Sequence, residues 1–179
     1  MTAIAALVDN GKIWMGGDSA GVDCGSMCLV VRKDEKVFIR NNFIMGFTSS
    51  FRMGNLLRYS LYLPPQIEGA TNIEYMNTSF IDAVRGCFKA GGFTSISEYK
   101  ESGGTFIVGY RGALYEIEDD FQVAMPADDF ISCGCGSSFC MGSLYSTIGW
   151  DPETRIKKAL ESAERFSAGV RGPFVIQSL

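Results

Sequence analysis

The 179-residue chain contains no histidine. That absence excludes the Ser-His-Asp triad, the Cys-His pair, histidine-ligated zinc and histidine acid–base chemistry together. Any catalysis has to run on carboxylates, lysine, hydroxyls, thiols or a chain-terminal amine. Proline is scarce at 5 residues, and with 46% hydrophobic and 20% charged residues the composition is that of a globular chain, not a disordered one. A basic stripe is also missing. Lys and Arg number 16 against 20 Asp and Glu, net charge -4, and they are scattered, so no nucleic-acid partner is expected. No apolar run approaches the ~20 residues of a membrane span. The first such run, Ala3 to Val8, is too short for a signal-peptide core and has no positive leader. The expectation is a cytoplasmic protein with no membrane contact.

Cysteine is present, at six positions, and in a reducing compartment buried free thiols are the default. Cys24 and Cys28 are spaced C-x3-C, and Cys133, Cys135 and Cys140 form C-x-C-x4-C. Neither half carries the C-x2-C knuckle of a structural zinc site, so neither metal nor cofactor is expected. A reactive thiol would need an electropositive neighbourhood, which the sequence does not display.

No repeat, low-complexity tract or linker divides the chain, and 1–179 reads as a single domain. Asn10-Gly11 between two apolar runs predicts a hairpin, Thr2–Val8 with Lys12–Gly17, because a type I′ turn needs positive φ at both central residues. Val37–Arg40 and Phe43–Phe47 around Asn41-Asn42 predict a second. Met53, Leu56, Leu57 and Leu61 follow a helical stripe that Pro64-Pro65 ends, and Ile81, Val84 and Phe88 mark a helix stopping at Gly91-Gly92. Strands return at Thr105–Tyr110, Ala113–Ile117 and Phe130–Cys133. A third helix is expected from Ser137, with Met141, Leu144, Tyr145 and Ile148 on one face. In the fourth, Asp151 caps, Pro152 opens, and Ile156, Ala159, Leu160 and Ala163 form the buried stripe. Glu153–Lys157 and Glu161–Arg165 are expected as ion pairs on its wet side, and Phe174–Ile176 as a last strand. Strands, two helices, strands, two helices and a strand suit an α+β fold, a four-layer αββα sandwich of two antiparallel sheets flanked by helices.

Thr2 is the residue to weigh first for chemistry. Removal of Met1 would place a hydroxyl and an α-amine on one residue. With an unperturbed pKa of ~7.7–8.0, that amine can serve as a general base without histidine. Taken alone, a Met-Thr start is commonplace. The stretch from Thr2 to Ser19, with Gly16-Gly17 before Asp18, is similar to the opening of the bacterial HslV peptidase and of proteasome β-subunits, which are N-terminal-nucleophile hydrolases. Lys36-Val37-Phe38 resembles that family's Lys-Val strand, and Phe43 to Ser50 its glycine-rich strand-to-helix turn. Thr105 to Glu118 resembles its paired strands, and Gly134-Cys135-Gly136 falls where the family has Gly-Ser-Gly. The pieces span nearly the whole chain in the right order.

The resemblance implies a threonine-type peptidase. Thr2 would be nucleophile and base, Lys36 the amine that stabilises its deprotonated oxygen, and Asp18 the carboxylate that orients Lys36. A backbone N–H near Ser49 would form the oxyanion hole. Lys33 is the competing lysine. Lys36 is preferred because it precedes an apolar strand, and because the hairpin, counted back from Ser49, is shorter than in HslV by an even number of residues, which keeps side chains on their faces. The family assembles into homo-oligomeric rings or stacked subunits and commonly works with a partner ATPase unfoldase that feeds it protein substrate.

Two departures stand out. Cys135 replaces a serine near the nucleophile's amine and is a weaker hydrogen-bonding group. The segment before the last strand, Phe166 to Phe174, lacks the family's aspartate, and Ser167 is the nearest polar residue. With Met1 attached, the Thr2 nitrogen is an amide and cannot act as a base. Two further readings therefore stay open on the same fold, a catalytically silent structural subunit and a small-molecule amidase.

Overall fold

Asn10 and Gly11 both adopt positive φ, +49° and +78°, and turn β1 (Ile4–Asp9) back on β2 (Lys12–Gly17) as the Asn-Gly pair predicts. The structure, a computed structural model, describes all residues except Cys24 and Met27. A short hairpin follows, β3 (Ala20–Val22) and β4 (Leu29–Val31), then β5 (Val37–Arg40) and β6 (Phe43–Phe47). Helix α1 (Phe51–Asn55) runs into a π-helical turn, Leu56–Ser60. Helix α2 (Asn72–Tyr75), capped reciprocally by Thr71 and Glu74, joins α3 (Ile81–Ala90) through a second such turn, Met76–Phe80. A small hairpin, β7 (Ser95–Ser97) with β8 (Lys100–Ser102), precedes β9 (Phe106–Tyr110), β10 (Ala113–Ile117), β11 (Val123–Ala124) and β12 (Phe130–Cys133). Helices α4 (Ser137–Ser146) and α5 (Pro152–Phe166) lead to β13 (Val175–Ser178).

Nine of the strands form two antiparallel sheets, ordered β12-β1-β2-β13 and β11-β10-β9-β6-β5, and the hairpins β3–β4 and β7–β8 stand apart from them. Strand β1 is apolar along most of its length because both its faces are covered. Ala5 and Leu7 pack with Cys140, Leu144, Ile156 and Leu160 beneath α4 and α5, while Ile4 and Ala6 face the other sheet with Met15, Val37, Ile44 and Ile107. The far side of the second sheet packs α1 to α3 in an aromatic core that holds Phe43, Phe80, Phe88 and Tyr110. Each fully buried side chain of this size contributes roughly 1.5–3 kcal/mol. The sheets approach closely at Gly46, where a Cβ would lie 2.6 Å from Ile4 and 2.8 Å from the Met15 sulfur. The αββα sandwich is thus present.

Several expectations need correction. Tyr145 and Ile148 are exposed, and α4 buries Cys140 and Leu144 instead. Tyr145 sits one residue round the helix from the Cys140–Leu144 stripe, and Ile148 lies beyond the helix end. On α5 the ion pair that forms is Lys158–Glu161 at 2.8 Å rather than the i,i+4 pairs. Arg155, on the same helix, is buried and donates to the Leu144 carbonyl at 2.8 Å. The last strand begins one residue later than expected. The hairpins of β3–β4 and β7–β8 are too short and too exposed to leave an alternating pattern.

Candidate active site

Antiparallel register brings five chain segments to one end of the sandwich. Ile4 at the start of β1 pairs with Gly17 at the end of β2 and with Cys133 at the end of β12. Thr2, Asp18 and Cys135 therefore emerge side by side. In the facing sheet Val37 pairs with Gly46, which puts Lys36 before β5 beside the turn that follows β6.

Lys36 Nζ lies 2.9 Å from Thr2 Oγ1 and 2.8 Å from Asp18 Oδ1. All three residues are buried, at 4%, 2% and 1% exposure for Thr2, Lys36 and Asp18. Asp18 Oδ1 also accepts from the Ala3 amide at 3.0 Å, and Oδ2 accepts from the Ala20 and Arg171 amides at 2.9 and 3.2 Å. A carboxylate this deep is tolerable only when its lone pairs are filled. Burial holds the Lys36 amine below the ordinary lysine value, while the charge and hydrogen bond of Asp18 oppose that shift. Lys33, the competing lysine, is exposed.

Met1 is attached, and its carbonyl accepts from the Thr2 hydroxyl and, at 3.4 Å, from Lys36 Nζ. The Thr2 nitrogen donates to Cys135 Sγ at 3.3 Å. Cys135 Sγ in turn donates to the Thr2 carbonyl and lies within reach of Ser167 Oγ, each at 3.4 Å. Gly134, at φ +95°, makes room here, since a Cβ there would collide with the Thr2 carbonyl.

Ser49 has φ +63°, an unusual conformation for a serine. Its hydroxyl accepts from the Thr105 amide at 3.1 Å, Thr48 N donates to Thr105 O, and Ser50 N donates to Thr48 O. The Ser49 amide has no protein acceptor among the described residues. It borders the same small cavity as Thr2 and Lys36.

All five residues singled out from sequence (Thr2, Asp18, Lys36, Ser49 and Cys135) thus meet at this end of the sandwich. Sequence reasoning missed the backbone donors of Ala20 and Arg171, because a main-chain N–H carries no side-chain signature. It also missed Glu164 on α5. Glu164 accepts from Gly172 N at 2.9 Å and anchors the segment whose Arg171 amide reaches Asp18. The expectation that the thiols are buried holds for Cys133 and Cys140 but fails for Cys28 and Cys135, which are exposed, while Cys87 is half-buried. These two lie on a hairpin loop and at a strand end, where no layer covers them. Cys24 lies outside the described residues. Among the described residues no group of three or more Cys, Asp or Glu could hold a metal ion, and no helix is long and apolar enough to cross a membrane.

No protein-family profile and no curated protein sequence matches the chain. Solved structures do. A Thiobacillus denitrificans BPH structure in complex with epoxomicin matches with a TM-score of 0.79 at 15% identity, over 99% of this chain and 98% of that one. Eukaryotic HslV from Trypanosoma brucei matches at 0.68 and 17%, over 99% of both chains. Anbu, an ancestral beta-subunit, from Yersinia bercovieri matches at 0.67 and 12%, over 99% of this chain and 81% of that one. The fold is therefore the proteasome-type N-terminal-nucleophile hydrolase fold, over the full chain.

Proposed function

We propose that the protein is a threonine peptidase whose nucleophile is Thr2, exposed by removal of Met1. The observation that carries this reading is the buried contact of Lys36 Nζ with both Thr2 Oγ1 and Asp18 Oδ1. A lysine–carboxylate pair at this depth is costly to assemble, and a purely structural subunit has no need to aim it at a hydroxyl.

With Met1 gone, the neutral Thr2 amine takes the hydroxyl proton while Oγ1 attacks a peptide carbonyl carbon. Lys36 carries positive charge beside the oxygen as it ionises, and Asp18 keeps that charge in place. The carbonyl oxygen becomes an oxyanion and accepts from the Ser49 amide, an interaction typically worth ~10²–10³ in rate. The C–N bond then breaks, the Thr2 ammonium returns its proton to the leaving amine, and an ester remains on Oγ1. Water attacks the ester and gives a proton to the amine. The ester C–O bond breaks, Thr2 is regenerated and the acid product departs. Cys135, itself against Ser167, holds the amine end of Thr2.

The same reading includes a single catalytic domain, a cytoplasmic location, a homo-oligomeric ring or stacked assembly, and an ATPase unfoldase as a candidate partner. The Thiobacillus denitrificans neighbour binds epoxomicin, an epoxyketone, which makes that warhead the natural probe. The test is mass spectrometry of the N-terminus followed by epoxyketone treatment. Met1-free protein should gain the probe mass at Thr2, and Thr2→Ala should not. A processed, assembled chain that stays unlabelled would be the silent structural subunit, as would a chain that keeps Met1 in its native host.

A further inference from the structure

Beside Thr2 lies a cavity of about 70 Å³, walled by Val22, the Lys36 side chain, Phe47, Ser49 and Phe51. Cys135 does not line it. The Thr2 nitrogen sits against Cys135, and the amine must hand its proton to the departing nitrogen. The leaving group therefore departs on the Cys135 side, and the acyl residue must place its side chain on the other, in this cavity. Met1 also lines it: its carbonyl accepts from Thr2 Oγ1 and Lys36 Nζ while its side chain rests against Gly169 near Cys135, so its removal frees space beside Thr2 and leaves the Val22, Phe47 and Phe51 walls in place.

The cavity is small and its aromatic walls are packed. A protein cavity that holds benzene measures roughly 150 Å³, about twice this volume. Phe47 and Phe51 pack edge to face, with centroids 5.9 Å apart at 83°. The Phe47 ring lies so close to Gly54 of α1 that a Cβ there would collide with it. On its other side Phe51 carries the Arg32 guanidinium 3.8 Å from its ring centre, and Asp34 holds Arg32 through two contacts at 2.7 and 2.6 Å. Neither ring can swing aside without breaking a packed neighbour. With Arg32 neutralised by Asp34, the wall offers no free charge to an acidic substrate.

Resting on the reading of Thr2 as nucleophile, we infer that this cavity is the acyl-side specificity pocket, that it accepts alanine- or serine-sized side chains, and that Phe51, clamped by Arg32, sets the limit. Preferred cleavage sites follow small residues.

The test uses Met1-free protein and two peptide epoxyketones that differ only in the residue next to the warhead, alanine or phenylalanine. The alanine probe should modify Thr2 at least about 10-fold faster, in line with the 10–200-fold that a single methylene can command in a tight pocket. Phe51→Ala should raise the phenylalanine probe's rate and collapse the ratio. Because Phe51→Ala could disturb α1, Arg32→Ala, on an exposed hairpin, serves as a second variant and should shift the ratio the same way. Equal rates in the unaltered protein, or a ratio that neither variant moves, overturn the pocket assignment while leaving Thr2 as nucleophile. Modification by neither probe overturns the nucleophile reading, and the acyl pocket with it.

Discussion

Cys135 Sγ lies 3.3 Å from the Thr2 nitrogen, as a thiol that is itself exposed. It stands where the resemblance places a serine, and sulfur is the weaker acceptor. A hydroxyl there should hold the freed amine more firmly. Cys135→Ser should therefore match or exceed the parent's rate of Thr2 acylation, and Cys135→Ala should lose about fivefold, the worth of one neutral hydrogen bond of ~1 kcal/mol. N-ethylmaleimide should inactivate the parent by filling the leaving-group side, while Cys135→Ser stays active. Equal sensitivity of both proteins to the maleimide would place the vulnerable thiol elsewhere.

Asp18 and Lys36 should differ in what their loss costs. Lys36→Ala leaves Asp18 with three backbone donors, from Ala3, Ala20 and Arg171. Asp18→Ala leaves a buried ammonium with only the Thr2 hydroxyl and a carbonyl as acceptors. Removing one partner of a buried pair costs about 3–5 kcal/mol, and Asp18→Ala should sit at the upper end, with Tm lowered by about 10 °C or more. Lys36→Ala should lose less stability yet react with the epoxyketone as poorly as Thr2→Ala. A Lys36→Ala protein less stable than Asp18→Ala would contradict this account of the charge.

The lysine also sets a pH dependence. Lys36 in the folded chain releases its proton below the ordinary value of 10.5, chiefly through desolvation. Acylation requires a neutral Thr2 amine and a charged Lys36, so the rate of processed protein should be bell-shaped, with an alkaline limb below 10.5. The stability consequence has the opposite sense. In the window between the folded and unfolded lysine values the unfolded chain binds more protons, so this group's contribution to stability rises with pH there. Thermal melts across that window should fall more steeply with pH for Lys36→Met than for the parent. Identical slopes would mean that the lysine ionises as if it were in water.

The sandwich is legible because its signals are local and redundant. Asn10-Gly11, the Pro64-Pro65 stop, the Asp151–Pro152 start and the doubly covered strand β1 each point to the same layers. The grouping of Thr2, Asp18 and Lys36 was legible through their order along the chain. Their convergence rests on antiparallel register, which places strand starts beside strand ends. What stayed hidden depends on packing between distant segments. The Phe51–Arg32 stack joins the first turn of a helix to an exposed hairpin, and Glu164 reaches the Gly172 amide across a loop. Neither leaves a pattern in spacing or periodicity. The burial of Arg155 is hidden for a related reason, since its acceptor is a main-chain carbonyl on another helix.

Ser49 separates the work of a backbone amide from that of a side chain. Its φ of +63° costs a non-glycine residue about 1–2 kcal/mol, and its hydroxyl offsets part of that through the Thr105 amide. If the amide alone receives the oxyanion, the hydroxyl affects stability and not rate. Ser49→Ala should lower stability by about 1 kcal/mol and leave acylation within a few-fold of the parent. Ser49→Gly should be near neutral in stability, because relief of the left-handed conformation balances the lost hydrogen bond and the added chain entropy. Ser49→Val puts a β-branched residue where one is least tolerated and shifts the amide. It should cost more than about 2 kcal/mol and slow acylation by about 10²-fold or more. Urea melts and epoxyketone kinetics on the three variants read both quantities. A folded Ser49→Ala protein that is 10²-fold slower would make the hydroxyl the oxyanion donor and remove that role from the amide.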